Sequence, residues 1–394
     1  MKKRFFLRTL VGAMAVAAIG FQAPQVRAAE EPFKVGLIVP MTGAFASTGR
    51  QVYAGAQAYM EHHGDTVAGR KIEIILKDDG GVAANSRKLA QELIVNDDVD
   101  VIAGFGLTPI ALAVAPVATE SETPMVIMAA QTQTVTNASP FITRTSGTIK
   151  QVTSGIAQWA VENDIKTAVT LVPDYAPGYE SEESFKKYFL EGGGKILEEI
   201  RVPMRNPDFA PFLQRVRDMK PDALFVMLPA GPGAALMKQY GQRGLAEAGI
   251  KLIGHGAITD DDNLNEGGDA AMGAITSDYY SNNHDSELNR KFKETYKKFD
   301  PTSRANFFGV AGYDGMQLIY EALKKSDGKA EGMALVDAMK GLSFESPRGP
   351  VTLDPEYRDF IQNIYMREVK KVGDEYHNVE FDVVENVNAV GEAK

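Results

Sequence analysis

KVGLIVPMTGAFASTG, residues 34–49, is a Val/Ile-rich run that breaks into a turn built of glycines, hydroxyl side chains and one proline. The run is apolar without alternation. That is the pattern of a strand buried on both faces, as in parallel sheets covered by helices. The same theme recurs along the chain. Short apolar runs at 33–39, 71–77, 100–105, 125–129, 167–172, 197–202, 223–228 and 251–254 read as strands. Helical periodicity marks 50–62, 85–96, 109–120, 149–162, 180–191, 209–219 and 232–241. Such alternation predicts right-handed strand–helix–strand units and mainly parallel sheets covered on both faces. Both halves show it, so the expected fold class is α/β with two similar lobes.

Ahead of residue 34 lies an export signal. Lys2, Lys3, Arg4 and Arg8 precede an apolar run at 10–21, and Val26-Arg27-Ala28 offers a cleavage site. That run is about twelve residues long, short of the about twenty a spanning helix needs. Residues 1–28 are therefore expected to be removed, leaving a periplasmic protein with no direct membrane insertion. The chain holds no cysteine, which rules out disulfides, thiolate metal sites, cysteine nucleophiles and the lipidated cysteine of a lipoprotein. Removing five basic residues with the signal leaves 37 basic and 52 acidic side chains, a net charge of −15. A surface so acidic repels phosphate backbones and anionic lipid, which argues against nucleic acid as a partner.

In open α/β sheets, ligands sit beyond the carboxyl ends of the strands, where loops enter helices. The loop after the first run carries Ser47 and Thr48, each equally readable as a helix cap or a ligand contact. The loop after the third run, Gly104 to Pro109, carries Thr108, which reads either as the N-cap of the next helix or as a donor. The fourth run leads into Ala129-Ala130-Gln131-Thr132, again small and hydroxyl-bearing.

Rival chemistries fare poorly. Gly104-Phe105-Gly106 starts a dinucleotide fingerprint, but Pro109 holds the third glycine position. Neither a phosphate-loop lysine motif nor a Gly-x-Ser-x-Gly elbow occurs. His62 and His63 are adjacent and cannot share a helix face. A calcium loop starting at Asp261 would need glycine where Glu266 stands and an acid where Met272 stands. Residues 260–269 are expected instead to form a solvated loop leading into a helix. No metal and no cofactor is expected, and no enzyme.

Five segments taken together resemble the leucine/isoleucine/valine-binding-protein family. They are MTGAFASTG, AGFGLTPIALAVAP, ETPMVIMAAQTQTVT with FITRTSG, VPDYAPGYESEESFKKYF, and GYDGMQLIYEALKK. They fall in the family's order across nearly the whole chain after residue 28. The resemblance implies a type I periplasmic binding protein: two Rossmann-like lobes joined by a three-crossover hinge, closing on a small ligand. The crossovers are expected near 145–148, 276–279 and 344–347. Lobe 1 would comprise 30–146 plus 278–344, and lobe 2 would comprise 147–277 plus 345–394. The implied partners are a small carboxylate or amino acid ligand and the membrane permease of an ABC importer, with the protein a monomer.

Carried over to this sequence, the resemblance assigns Thr108 as hydroxyl and amide donor and Ala129 as a backbone partner, both toward a ligand carboxylate. Gln131 stands where a hydroxyl residue is usual. Pro177 replaces the usual tyrosine, so Tyr175 or Tyr179 would supply the aromatic wall. The acid that pairs with a ligand's ammonium group is replaced by Gly256, which disfavours zwitterions unless Asp260, Asp261 or Asp314 reaches in. Arg144 is expected to be structural. These departures resemble the branch that takes up carboxylates without an amino group, including aromatic acids. A sensor for a signalling partner is the alternative role, and an extracytoplasmic hydrolase the remaining one.

Overall fold

The computed structural model describes residues 31–204, 207–229 and 231–393. The export signal expected at 1–28 lies outside the described residues. Two sheets carry the fold. The first contains β1 (Phe33–Val39), β2 (Thr66–Val67), β3 (Arg70–Asp78), β4 (Val101–Gly104), β5 (Met125–Ile127) and β6 (Ile142–Arg144), in the order β2-β3-β1-β4-β5-β6. All its pairs are parallel except β2 with β3. β1, β4, β5 and β6 are buried runs while β3 is mostly half-buried, and helices α1 (Ala46–His63), α2 (Ala83–Val95) and α3 (Thr108–Glu120) cover the sheet.

The second sheet has nine strands. Its parallel part orders β8 (Lys195–Val202), β7 (Thr167–Pro173), β9 (Ala223–Val226), β10 (Lys251–His255) and β11 (Ile275–Asp278) side by side. Helices α4 (Ile149–Glu162), α5 (Ala176–Glu191), α6 (Ala210–Met219), α7 (Gly233–Gln242) and the short α8 (Leu264–Gly267) accompany it. An antiparallel extension completes it: β12 (Ser343–Ser346), β13 (Gly349–Leu353), β14 (Phe360–Val372) and β15 (Glu375–Val387), with β14 joining β11. The chain returns to the first sheet between β11 and β12, where α9 (Glu287–Phe299), α10 (Phe307–Lys325) and α11 (Gly332–Met339) form; α9 and α10 pack on α1.

Local chemistry sets the helix starts. α4 begins with a reciprocal capping box, the Thr148 hydroxyl accepting from Gln151 N–H and the Gln151 side chain accepting from Thr148 N–H. α10 is capped by the Asn306 side chain, which accepts from the N–H groups of Phe308 and Gly309. α3 starts differently from the expectation. Its N-cap is Leu107, and the Thr108 hydroxyl bonds to Thr132 Oγ1 at 2.7 Å instead of capping the helix backbone. α1 likewise starts at Ala46 with no side-chain cap, so neither Ser47 nor Thr48 is its cap. Gly49 sits on the first turn of α1, where a β-carbon would lie 2.0 Å from the Pro40 carbonyl oxygen. Glycine is what lets α1 start so close to the end of β1.

One buried cation joins the three connections between the sheets. Arg348, ahead of β13, donates to the Thr145 carbonyl at 2.6 Å in the first connection and lies 4.7 Å over the Tyr279 ring in the second. Its counter-charge is Asp314 on α10, at 2.6 Å.

Candidate functional site

A cavity of about 70 Å³ lies between the two sheets, beyond the carboxyl ends of their parallel strands. From the first lobe it is lined by Phe45 and Thr48 of the β1–α1 turn, by Gly106, Leu107 and Thr108 ahead of and at the start of α3, and by Ala129, Ala130 and Gln131 after β5. Phe307 and Phe308 at the start of α10 complete that wall, their ring centroids 4.2 Å apart. From the second lobe come Tyr175 and Pro177 after β7, Met227 to Pro229 after β9, and His255 and Ala257 after β10, with Ile149 of α4 at the back.

The β4–α3 turn aims its donors by backbone conformation. Gly104 and Phe105 both take positive φ, 107° and 65°. For the buried Phe105 this is the left-handed region that side chains other than glycine rarely occupy. The reversal brings Gly106, Leu107 and Thr108 to the cavity at the N-terminal end of α3, where the helix dipole favours negative charge; Pro109 carries no N–H, and those of Ile110 and Ala111 bond to the Leu107 carbonyl. Arg144 fixes the adjoining loop. Fully buried, it bonds Asp359 at 2.5 Å through Nε and donates through Nη1 to the carbonyls of Ala130 (3.2 Å) and Thr132 (2.7 Å). It props the wall and does not line the cavity.

None of the described lining residues carries a carboxylate, an ammonium or a guanidinium group. The one titratable base, His255, is held neutral: burial, with the nearby Arg367 adding to it, pushes its pKa down to about 3. The site therefore offers aromatic and aliphatic walls with a few neutral donors. A carboxylate can be buried against N–H and O–H donors of this kind, whereas a buried ammonium needs an acceptor of opposite charge.

Of the sequence-predicted residues, Thr48, Thr108, Ala129, Ala130, Gln131 and Tyr175 meet in the cavity. Ser47 does not line it. Its hydroxyl bonds the Asp262 carboxylate of the other lobe and accepts from Gln51 Nε2 at 2.8 Å. Tyr179 is 40% exposed on the outer face of α5, bonded to Asp174 with Arg201 stacked 5.1 Å over its ring. Gly256 is turned away toward the buried pair Asp278 and Arg367, and its neighbours His255 and Ala257 face the cavity instead. Asp314 is committed to Arg348 at the hinge.

Asp260 and Asp261 do not reach the cavity either, and the expected solvated loop at 260–269 is buried at its start. Asp260 accepts from Asn306 Nδ2 at 2.6 Å, and the Asp261 carbonyl accepts from Arg304 Nε at 3.1 Å, so both meet the first lobe. Across the cleft, Gln133 N–H donates to the Glu180 carboxylate at 3.0 Å. With Ser47 and Asp262, these bonds tie the lobes together on either side of the cavity, which makes this a closed arrangement.

The geometry agrees with what the chain is similar to. The periplasmic binding protein family matches residues 32–374. The chain belongs to this family. A Leu/Ile/Val-binding protein homolog 6 from Brucella abortus (strain 2308) is 40% identical over 356 residues, 89% of this chain and 91% of the relative. A solute binding protein of an ABC transporter from Rhodopseudomonas palustris BisB5, solved in complex with 3,4-dihydroxybenzoic acid, superposes with a TM-score of 0.88 at 55% identity, covering 91% of this chain and 98% of that one. A second R. palustris solute binding protein, in complex with 4-hydroxybenzoate, gives 0.87 at 36% identity over 91% and 98%. As a periplasmic binding protein, the chain has the two-lobed α/β architecture that its sequence predicts. Among the described residues no helix is long and apolar enough to cross a membrane.

Sequence reasoning passed over Phe307 and Phe308, which supply the aromatic wall of the first lobe. Their signal was the Asn-Phe-Phe-Gly run at 306–309, an N-cap followed by two rings at a helix start. It also passed over the apolar Met227 to Pro229 after β9, and His255.

Proposed function

We propose that this periplasmic binding protein captures a small aromatic monocarboxylate and presents it, in the closed form, to the permease of an ABC importer. The observation that carries the reading is the cavity lining: ring-bearing walls at Phe307, Phe308 and Tyr175, donors at Thr108, and no acid to receive an ammonium group. The two R. palustris proteins bound to hydroxylated benzoic acids support the same class of ligand. In this reading the export signal at 1–28 is cleaved and the mature protein acts in the periplasm as a monomer. The lobes are 30–146 plus 278–344 and 147–277 plus 345–394. The protein catalyses no reaction. Ligand shifts the population toward closure because it touches both lobes only there.

A second ligand class, the branched-chain amino acids, is favoured by the name of the Brucella relative. Calorimetric titration of unfolded and refolded protein, freed of retained ligand, separates the two. One-to-one binding of benzoate-class acids without response to leucine or valine is the expected result. Tight leucine binding would overturn the ligand class.

A further inference from the structure

His255 is the only polar side chain among the described lining residues that the sequence analysis did not single out. It stands at the end of β10, 1% exposed. Its Nδ1 accepts the backbone N–H of Ala257 at 3.1 Å, at the start of the short 3₁₀ helix Gly256–Thr259. A backbone N–H can only donate, so Nδ1 is unprotonated and the single proton of the neutral ring sits on Nε2. Nε2 is buried and has no hydrogen-bond partner among the described residues. Capping the 3₁₀ helix accounts for Nδ1 alone, and a serine or asparagine would do that as well. It leaves the Nε2–H donor unexplained, and buried donors in folded proteins are nearly always paired.

The opposite wall belongs to the first lobe, where Thr108 and the first turn of α3 form the part of the cavity suited to an anion. An aromatic acid held there by its carboxylate directs its far edge at the second lobe. We propose that His255 determines specificity by donating its Nε2 proton to a hydroxyl oxygen on the ring edge opposite the carboxylate, so that the receptor selects para-hydroxylated aromatic acids over unsubstituted ones. The proposal rests on the aromatic-acid reading above. Benzoate would leave the donor buried and unpaired in the closed form, a loss on the order of tenfold to a hundredfold in affinity. The bond also joins the ligand to the second lobe while the carboxylate is held by the first, so it forms only on closure and favours it.

The test is calorimetric titration of refolded wild type and His255→Phe with benzoate, 2-hydroxybenzoate and 4-hydroxybenzoate. Wild type is expected to bind 4-hydroxybenzoate about ten to a hundred times more tightly than benzoate, with no such gain for 2-hydroxybenzoate. His255→Phe is expected to bring the ratio of the two affinities to within about twofold, and a ratio that stays at its wild-type value overturns the proposal. Equal wild-type affinities for benzoate and 4-hydroxybenzoate would overturn the role of His255 and leave the aromatic-acid reading standing. Failure of all three acids to bind would overturn that reading itself. If the variant does not fold, the imidazole nitrogen resonances of wild type decide. The His255 Nε2–H signal is expected to shift on adding 4-hydroxybenzoate and to be absent from the response to benzoate; no shift with the hydroxy acid overturns the proposal.

Discussion

A β-carbon on Gly256 would lie 2.1 Å from Oδ2 of Asp278, and 2.2 Å from Nη2 of Arg367. The glycine that the family resemblance sets at the ammonium-binding position is thus packed onto a buried ion pair of the second sheet, whose charges are 3.5 Å apart. Gly256→Glu is therefore expected not to create a leucine receptor. It should instead unfold more easily, since even an added methyl group costs about 1–3 kcal/mol in a packed interior. Thermal melting and leucine titration of Gly256→Ala and Gly256→Glu check this; a folded Gly256→Glu that binds leucine would refute it.

The hinge makes a sharper demand. Asp314 and Arg348 are both almost fully buried, and Arg348 also holds the Thr145 carbonyl. Asp314→Ala leaves the guanidinium buried without its counter-charge and is expected to cost about 3–5 kcal/mol. Urea denaturation measures it. A loss below about 1 kcal/mol would mean that Arg348 gains solvent or another partner.

Asp260 lies in the seam between the lobes, where burial raises its carboxyl to about 7, opposed by the bond from Asn306. The folded, closed protein therefore keeps a proton that the unfolded chain releases near pH 4. That stabilisation is full below about pH 4 and is lost as the pH rises through about 7. The melting temperature is expected to fall from pH 5 to pH 8, and Asp260→Asn to make the decline shallower while still accepting from Asn306. Asp278, raised by burial to about 6, keeps part of the slope in the variant. Identical slopes in the two proteins would remove Asp260 from the linkage.

Ser47 contributes to closure from the rim, through its bond to Asp262 on the other lobe. Ser47→Ala is expected to weaken ligand binding about two- to tenfold, in line with one net hydrogen bond, mainly through faster release. Stopped-flow dissociation kinetics test this. An unchanged release rate would show that the bond has no part in holding the lobes together.

Much of the fold was legible. The apolar runs behind β1, β7 and β10 mark strands within a residue or two of their ends, because burial on both faces writes itself directly into composition. β6 is too short, at three residues, to show any period. β15 hides because its exposed positions carry Glu375, Asp382 and Glu385, so that its sequence reads as charged. The run 223–228 was read as longer than β9 because Met227 and Leu228 are apolar for another reason: they line the cavity.

The sequence by itself determined the strand–helix alternation, the family, and a site at the strand ends made of small and hydroxyl residues, since these depend on local composition and period. Thr108, Ala129 and Gln131, which it singled out, lie together on the cavity wall. Only the tertiary structure decided that His255 faces the cavity while Gly256 turns toward Asp278, that Phe307 and Phe308 wall it from α10, and that Asp260 is buried against Asn306. Periodicity reports which face of an element is covered. It does not report which residue past a strand end meets a segment from the opposite lobe, because that depends on parts of the chain far apart in sequence being brought together when the lobes close.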